Sequence, residues 1–244
     1  MSRTVVVTGG ATGIGLATTR QFAALGDQVV ALGRDAEALA AIEGGIRTEI
    51  CDVTDEQAVT STFERIGEVD VLVNNAGIAE SAPLRRTTLD MWHQHFDVNV
   101  TGPFLCTRAV VESMRARGSG TVITVASTAG RVGAPYTSAY TASKHAAIGL
   151  MRAVAAELAG TGVRANAVCP TFVRTELTAR AVARIVEQTG RSAEEAELAL
   201  ARQTPLGRLL EPDEVAAAVV FLASDAAAGI NGQALVIDGG GTYG

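Results

Sequence analysis

Cysteine is scarce in this 244-residue chain. Only Cys51, Cys106 and Cys169 occur, far apart and odd in number. Their spacing excludes a CxxC metal or redox motif and fits reduced thiols in a cytoplasm; each reads as a small buried hydrophobe. Charge is scarce as well, at 19% of residues against about 25% in an average soluble domain, which suggests that part of the surface is covered by another subunit. Basic residues are outnumbered, and the net charge of −6 argues against nucleic acid or anionic membrane as a partner. No segment approaches the ~18 consecutive apolar residues of a membrane span, and no basic region precedes a hydrophobic signal core. The expected location is therefore cytoplasmic. Linkers, low-complexity runs and internal repeats are missing, so a single domain over 1–244 is expected. HExxH and GxSxG are missing too, so zinc-protease and α/β-hydrolase readings fail, and no metal site is expected.

What the chain does have is an alternation of apolar, β-branched runs with helical stretches. Strands are expected over 4–7, 28–32, 47–51, 69–73, 121–125, 163–168 and 234–237. Helices are expected over 13–25, 36–42, 55–66, 88–97, 100–116 and 138–159. Runs that are apolar on both faces belong in a buried parallel sheet. The βαβ rhythm gives an α/β, doubly wound Rossmann-type sheet of about seven strands with helices on both sides. Ligands of such sheets bind beyond the carboxyl ends of the strands, so chemistry is sought there.

The first strand runs into TGGATGIG, with Gly9, Gly13 and Gly15 between a strand and a helix. Gly9 permits a tight turn, Gly13 lets the backbone approach a pyrophosphate, and Gly15 lets the helix pack close to the sheet. The helix N-terminus then offers unpaired N–H groups to the anion. An ordinary glycine-rich turn is the alternative. Dinucleotide folds read the ribose at the end of the second strand, where a carboxylate bonds a 2′-hydroxyl and an arginine accepts a 2′-phosphate. Here Gly33 stands in the carboxylate's place and Arg34 follows, which favours NADP over NAD. Asp35 tempers this, as a helix cap or a partial offset to Arg34, and Thr12 supplies no second basic contact. Asp52 ends the third strand and could bond an adenine amino group. NNAG at 74–77 could line the cleft or be a bare turn.

Ser127 ends the fifth strand, Tyr140 lies 13 residues later and Lys144 one helical turn beyond. Positions i and i+4 share a helical face. A phenol has a reference pKa near 10, about three units too high for a base at neutral pH. A nearby ammonium is expected to lower it so that Tyr140 exchanges a proton with an alcohol or carbonyl oxygen, while Ser127 holds the same oxygen. Hydride must come from a cofactor.

With TGGATGIG, Asp52, NNAG, Asn99, Ser127, Tyr140 and Lys144 in place, the chain resembles the short-chain dehydrogenase/reductase family over about residues 4–240. The resemblance implies an NAD(P)-dependent oxidoreductase interconverting a ketone and a secondary alcohol. Asn99, Ser127, Tyr140 and Lys144 would be its catalytic residues, with Tyr140 as general acid/base. Lys144 would also grip the nicotinamide ribose, and Asn99 would hold a water in a proton relay through Lys144. Cofactor contacts would come from Gly9, Thr12, Gly13, Ile14, Gly15, Arg34, Asp52, Val53, Asn75, Ala76, Gly77, Tyr140, Lys144, Pro170, Thr171, Val173 and Thr175. One departure stands out: Thr171 follows Pro170 where the family usually has glycine, so it crowds the nicotinamide face or reshapes the substrate pocket. Thr175 matches a position that contacts the carboxamide. Homotetramers are usual in the family. A regulator that senses dinucleotide without turnover is the rival reading, and an intact catalytic set argues against it.

Residues 176–203 read as charged and helical, with apolar Leu177, Ala181, Val182, Ile185 and Val186 on one face. They resemble the family's mobile substrate lid, with a static surface hairpin as the alternative. Segments 79–83 and 129–132 and Phe172 are the other pocket candidates. Being mostly small and apolar, they point to a neutral or ester-like ketone of the 3-oxoacyl, polyketide or small-carbonyl kind. His93 and His95, two apart, face different sides of a helix and are assigned to packing or surface. His145 is expected to face away from the cleft.

Overall fold

A computed structural model of the chain describes residues 2–242. The strands β1 (Thr4–Thr8), β2 (Gln28–Gly33), β3 (Arg47–Ile50), β4 (Val71–Asn74), β5 (Gly120–Val125), β6 (Val163–Pro170) and β7 (Ala234–Ile237) make one parallel sheet in the order β3-β2-β1-β4-β5-β6-β7. The helices are α1 (Gly13–Ala24), α2 (Ala36–Ala40), α3 (Glu56–Ile66), α4 (Leu89–Phe96), α5 (Gly102–Arg117), α6 (Ser138–Glu157), α7 (Glu176–Thr189), α8 (Ala193–Ala201) and α9 (Pro212–Leu222). The chain winds outward from β1 to β3, then returns to lay β4 on the other side of β1. That reversal opens a crevice between the carboxyl ends of β1 and β4.

The period of two along a strand divides β1 between two cores. Val5 and Val7 face one with Phe22 of α1 and Val215, Val219 and Leu222 of α9. Val6 faces the other with Phe63 of α3, Val110 and Met114 of α5, and Ile148 and Met151 of α6. All three valines are fully buried, each contributing about 1.5–3 kcal/mol of transfer free energy. With both faces covered, a one-residue slip of β1 would exchange its two cores, so the register and the loop that follows are fixed together.

The seven parallel strands match those expected along the chain, and four differences appear among the elements. β4 begins at Val71, two residues later than expected, where the Asp70 carboxylate turns to accept the Thr4 N–H at 2.8 Å. The helices expected over 88–97 and 100–116 are one continuous rod, joined through a π-helical turn at Asp97–Thr101. The stretch 176–203 is two helices, because Gly190 ends α7 in the left-handed conformation and a Ser192–Glu195 capping box starts α8. α9 was not anticipated, although Pro212 opens it and its apolar stripe covers one sheet face.

Candidate active site

At the phosphate end, the loop between β1 and α1 closes on itself. Gly9 has φ of 63°. A Cβ on Gly15 would sit 2.0 Å from the Gly9 carbonyl oxygen and 2.5 Å from Asn75 Nδ2, so only glycine permits this approach of helix to loop. Thr12 is the N-cap of α1 but makes no side-chain cap bond, and no acidic residue lies in the first turn. α2, α3, α4, α7 and α8 all carry side-chain caps. The first N–H groups of α1, including that of Ile14, are thus left for an anion, which fits the pyrophosphate of a dinucleotide. Asn75 donates to Thr8 O at 2.9 Å and Gly9 O at 3.1 Å, and Thr8 Oγ1 accepts the N–H groups of Asn75 and Ala76. NNAG is therefore a brace between the ends of β1 and β4. Thr8, missed in the sequence, is betrayed only by being a hydroxyl at a buried strand end.

Arg34 extends from the end of β2, two-thirds exposed, and pairs with Asp52 at 3.4 Å. Asp35 is the cap of α2, accepting from Glu37 N and Ala38 N. Asp52 also accepts the Thr54 N–H and hydroxyl, which holds its carboxyl below the ordinary range despite partial burial. Val53 is buried behind it against Gly102. After β6 come Pro170, Thr171, Val173 and Thr175. Thr171 N–H bonds Ile237 O at 3.1 Å, and Thr175 caps α7. A Cβ on Gly13 would come 3.0 Å from Thr175 Cγ2, so the start of α7 lies against the phosphate loop.

At the other end, Ser127 follows β5, with its hydroxyl accepting the Ala129 N–H at 3.1 Å and lying near enough to the Tyr140 phenol to act on its pKa. Lys144 is buried. Its Nζ donates to Val125 O at 3.0 Å and stands 5.8 Å from the centre of the Tyr140 ring. Asn99 sits in the π-helical turn, where Oδ1 accepts the Ile78 N–H at 2.9 Å and Nδ2 donates to Ile78 O and to Ser143 Oγ, both at 3.0 Å. A π-turn of this kind is a frequent mark of functional sites. A Cβ on Gly77 would lie 3.1 Å from Asn99 Oδ1 and 3.5 Å from Lys144 Nζ. Asn99, Lys144 and NNAG thus converge on one small space.

Comparison with known proteins identifies the family. A family model described as enoyl-(acyl carrier protein) reductase matches residues 9–242. D-threitol dehydrogenase of Mycolicibacterium smegmatis is 41% identical over 98% of this chain and 93% of its own. The chain belongs to the short-chain dehydrogenase/reductase family. A 3-oxoacyl-(acyl-carrier-protein) reductase of Thermotoga maritima is 37% identical over 96% of both chains. The crystal structure of an actinorhodin polyketide ketoreductase with NADPH superposes with a TM-score of 0.91, at 35% identity, over 99% of this chain and 98% of that one. This short-chain dehydrogenase/reductase is accordingly an NAD(P)-dependent oxidoreductase acting between secondary alcohols and ketones.

The electrostatics of its site differ from the sequence expectation in one respect. The Tyr140 phenol is not made acidic by Lys144: burial raises its pKa, and the Ser127 hydroxyl only partly opposes that. Lys144 itself is lowered to about 8 by burial. The ammonium is turned to the Val125 carbonyl, and desolvation shifts each group toward its neutral form. The Asn99 side-chain amide is committed to Ile78 and Ser143. The Cys169 thiol lies fully buried against the Ser127 N–H, its pKa raised by burial. Cys51 and Cys106 are buried and free as expected. His93 is exposed and His95 buried; His145 is exposed, bonded only to its own helix at Thr141 O. Among the described residues no group of three metal-ligating side chains occurs, and no helix is long and apolar enough to cross a membrane.

Proposed function

We propose that the enzyme reduces a ketone of the 3-oxoacyl, polyketide or small-carbonyl kind, with NADP(H) preferred and Tyr140 as proton donor. The observation that carries this reading is the Ser127–Tyr140 hydroxyl pair, set beside a buried ammonium and facing the same cleft as an uncapped helix N-terminus. Bound with its pyrophosphate at α1, a nicotinamide dinucleotide supplies the hydride that no side chain can. A phenol with a raised pKa is protonated at neutral pH, which is the state needed to give a proton to a carbonyl oxygen. Ser127 accepts the Ala129 N–H on one of the two lone pairs of its hydroxyl, and its own hydrogen can turn to steady that oxygen as negative charge develops. Lys144, with a pKa of about 8, is mostly charged at pH 7 and lies 5.8 Å from the centre of the ring whose phenol gives up the proton; to return a proton it would have to leave the Val125 carbonyl. Asn99 and NNAG hold the wall behind Lys144.

NADP(H) is favoured because Asp35 is committed to its helix and Arg34 is held only by an exposed pair with Asp52. Such a pair is worth ~0–1 kcal/mol, little for a 2′-phosphate to displace. The ketoreductase structure with NADPH supports the same choice. Small apolar residues at the mouth, Ala79, Ala82, Pro83 and Val132, support a neutral substrate, with Thr171 narrowing one side. α7 serves as the moving part of a lid, since it has no fully buried residue, while α8 is anchored by buried Ala196, Leu200 and Ala201. Exposed Phe221 and Leu235 on the C-terminal segment support a homotetramer, and three buried free thiols suit the cytoplasm.

The test is NADPH oxidation against a panel of ketones and acyl thioesters. Tyr140→Phe should lose about 10²–10⁴-fold in turnover and keep its affinity for dinucleotide. Turnover persisting in that variant would remove Tyr140 from the chemistry. A wild-type protein that binds dinucleotide but reduces no ketone would favour a sensing role.

A further inference from the structure

His95 is a buried histidine that the reaction as described does not use. It lies on α4, fully enclosed, with Nδ1 2.7 Å from Met91 O and Nε2 accepting the Glu80 N–H at 3.0 Å. A main-chain N–H can only donate, so Nε2 is the acceptor and the hydrogen sits on Nδ1, facing the carbonyl. Both ring nitrogens are thereby satisfied. It stands edge-on to Tyr140, with centroids 6.3 Å apart at 73°.

The next two residues are held by other elements. Arg184 on α7 donates to Ser81 O at 3.1 Å and to Ser81 Oγ at 3.2 Å. Tyr136 O, in the loop before α6, accepts the Ala82 N–H at 2.8 Å. Tyr136 has φ of 66°, a non-glycine residue in the left-handed region, and such strain persists only where the surroundings enforce it. Three consecutive residues at the cleft mouth are thus each tied to a different wall: the helix beneath the phenol, the lid helix, and the loop leading to Tyr140.

We propose that His95 is a positioning residue: it fixes the 80–82 segment against the ring of Tyr140 and so couples the seating of α7 over the substrate to the group that delivers the proton. The proposal rests on Tyr140 being that group. Asn99 holds Ile78 in the same strand of loop, so the segment is anchored from the catalytic space outward. Removing the acceptor at Nε2 frees its middle without touching the cofactor end.

The experiment compares His95→Leu, which fills the space but accepts nothing, with His95→Gln, whose side-chain carbonyl can take the Glu80 N–H. In His95→Leu the substrate KM should rise about five- to tenfold, as expected for one buried hydrogen bond, with the KM for dinucleotide unchanged. His95→Gln should recover most of the loss. Combined with Arg184→Ala, the loss in kcat/KM should be smaller than the product of the two single losses, because both residues secure one segment. Amide hydrogen exchange of the 78–84 peptide reads the same contact without substrate: about tenfold faster in His95→Leu, near wild type in His95→Gln. A substrate KM that does not move, a matching fall in dinucleotide affinity, strict additivity with Arg184→Ala, or unchanged exchange would each overturn the proposal. If the wild-type protein reduces no ketone, the exchange comparison still decides whether His95 holds the segment, and the functional reading fails separately.

Discussion

Replacing Lys144 with methionine, which keeps most of the stem and removes the ammonium, should stabilise the fold at neutral pH while ending turnover. Burial lowers Lys144 from 10.5 to about 8, which corresponds to about 3 kcal/mol by which the folded state disfavours the charged form. The side chain is 6% exposed, so solvent relieves little of this. Against it stands the bond to Val125 O at 3.0 Å, since a buried carbonyl deprived of its donor costs about 1–3 kcal/mol. The net gain at pH 7 is about 1 kcal/mol, or roughly 2–4 °C in Tm for a chain of this size. The pH dependence is sharper than the magnitude. The unfolded lysine keeps its proton to about 10.5 and the folded one loses it near 8. Between those values the unfolded lysine holds a proton that the folded one has lost, so the Lys144 contribution to wild-type stability rises with pH, while the buried thiols act alike in both proteins and cancel in the comparison. The methionine variant lacks that rise. Its advantage should therefore be largest at pH 7, shrink by about 2 kcal/mol by pH 9.5 and reverse there, where the lost hydrogen bond outweighs the roughly 1 kcal/mol of the penalty that remains. Denaturant or calorimetric unfolding of both proteins from pH 7 to 9.5 at constant ionic strength measures the difference. The range stops there because above pH 10 unfolded tyrosines ionise while Tyr140, with its raised pKa, does not, which lowers stability in both proteins. A difference that stays flat with pH, or a variant clearly less stable than wild type at pH 7, would refute the buried-ammonium argument.

Two further substitutions probe the dinucleotide end. Gly15→Ala places a methyl 2.0 Å from the Gly9 carbonyl oxygen; the strain of about 1–3 kcal/mol must displace the phosphate loop, so dinucleotide affinity measured by titration should fall about tenfold or more. Unchanged affinity would mean that the loop yields without consequence. Arg34→Ala should raise the KM for NADPH about tenfold, the loss of one charged hydrogen bond, and leave that for NADH unchanged; equal effects on both would remove Arg34 from the choice of cofactor.

The fold was legible because its signals are local and redundant. Strands such as Val5–Val6–Val7 are apolar on both faces, and only a covered parallel sheet accommodates that. The glycine loop, Ser127 and the Tyr140–Lys144 spacing were legible because each chemistry permits few residue types at few separations. What stayed hidden depends on where a side chain turns. That Lys144 would point to a main-chain carbonyl, and that Thr8 would clasp NNAG, are matters of rotamer and neighbour that spacing does not encode. His95 illustrates the limit: helical periodicity put it opposite His93, which is correct, but nothing in MWHQHF shows that Glu80 waits on the other side. α9 was not anticipated, although its stripe of Val215, Ala216, Val219 and Leu222 follows Glu211 and Pro212, a good helix start.

The reversed sign of the phenol's shift bears on direction. If an ammonium had made Tyr140 acidic, the free enzyme would rest as phenolate and be set to take a proton from an alcohol. Burial instead leaves a neutral phenol beside a lysine whose pKa lies near the working pH. The resting site then holds a proton ready for transfer and a second one close by to replace it, which is the inventory that ketone reduction consumes. Oxidation in the same cleft must first remove that proton, so kcat/KM for alcohol oxidation should gain relative to that for ketone reduction as the pH rises through about 8, where Lys144 gives up its proton.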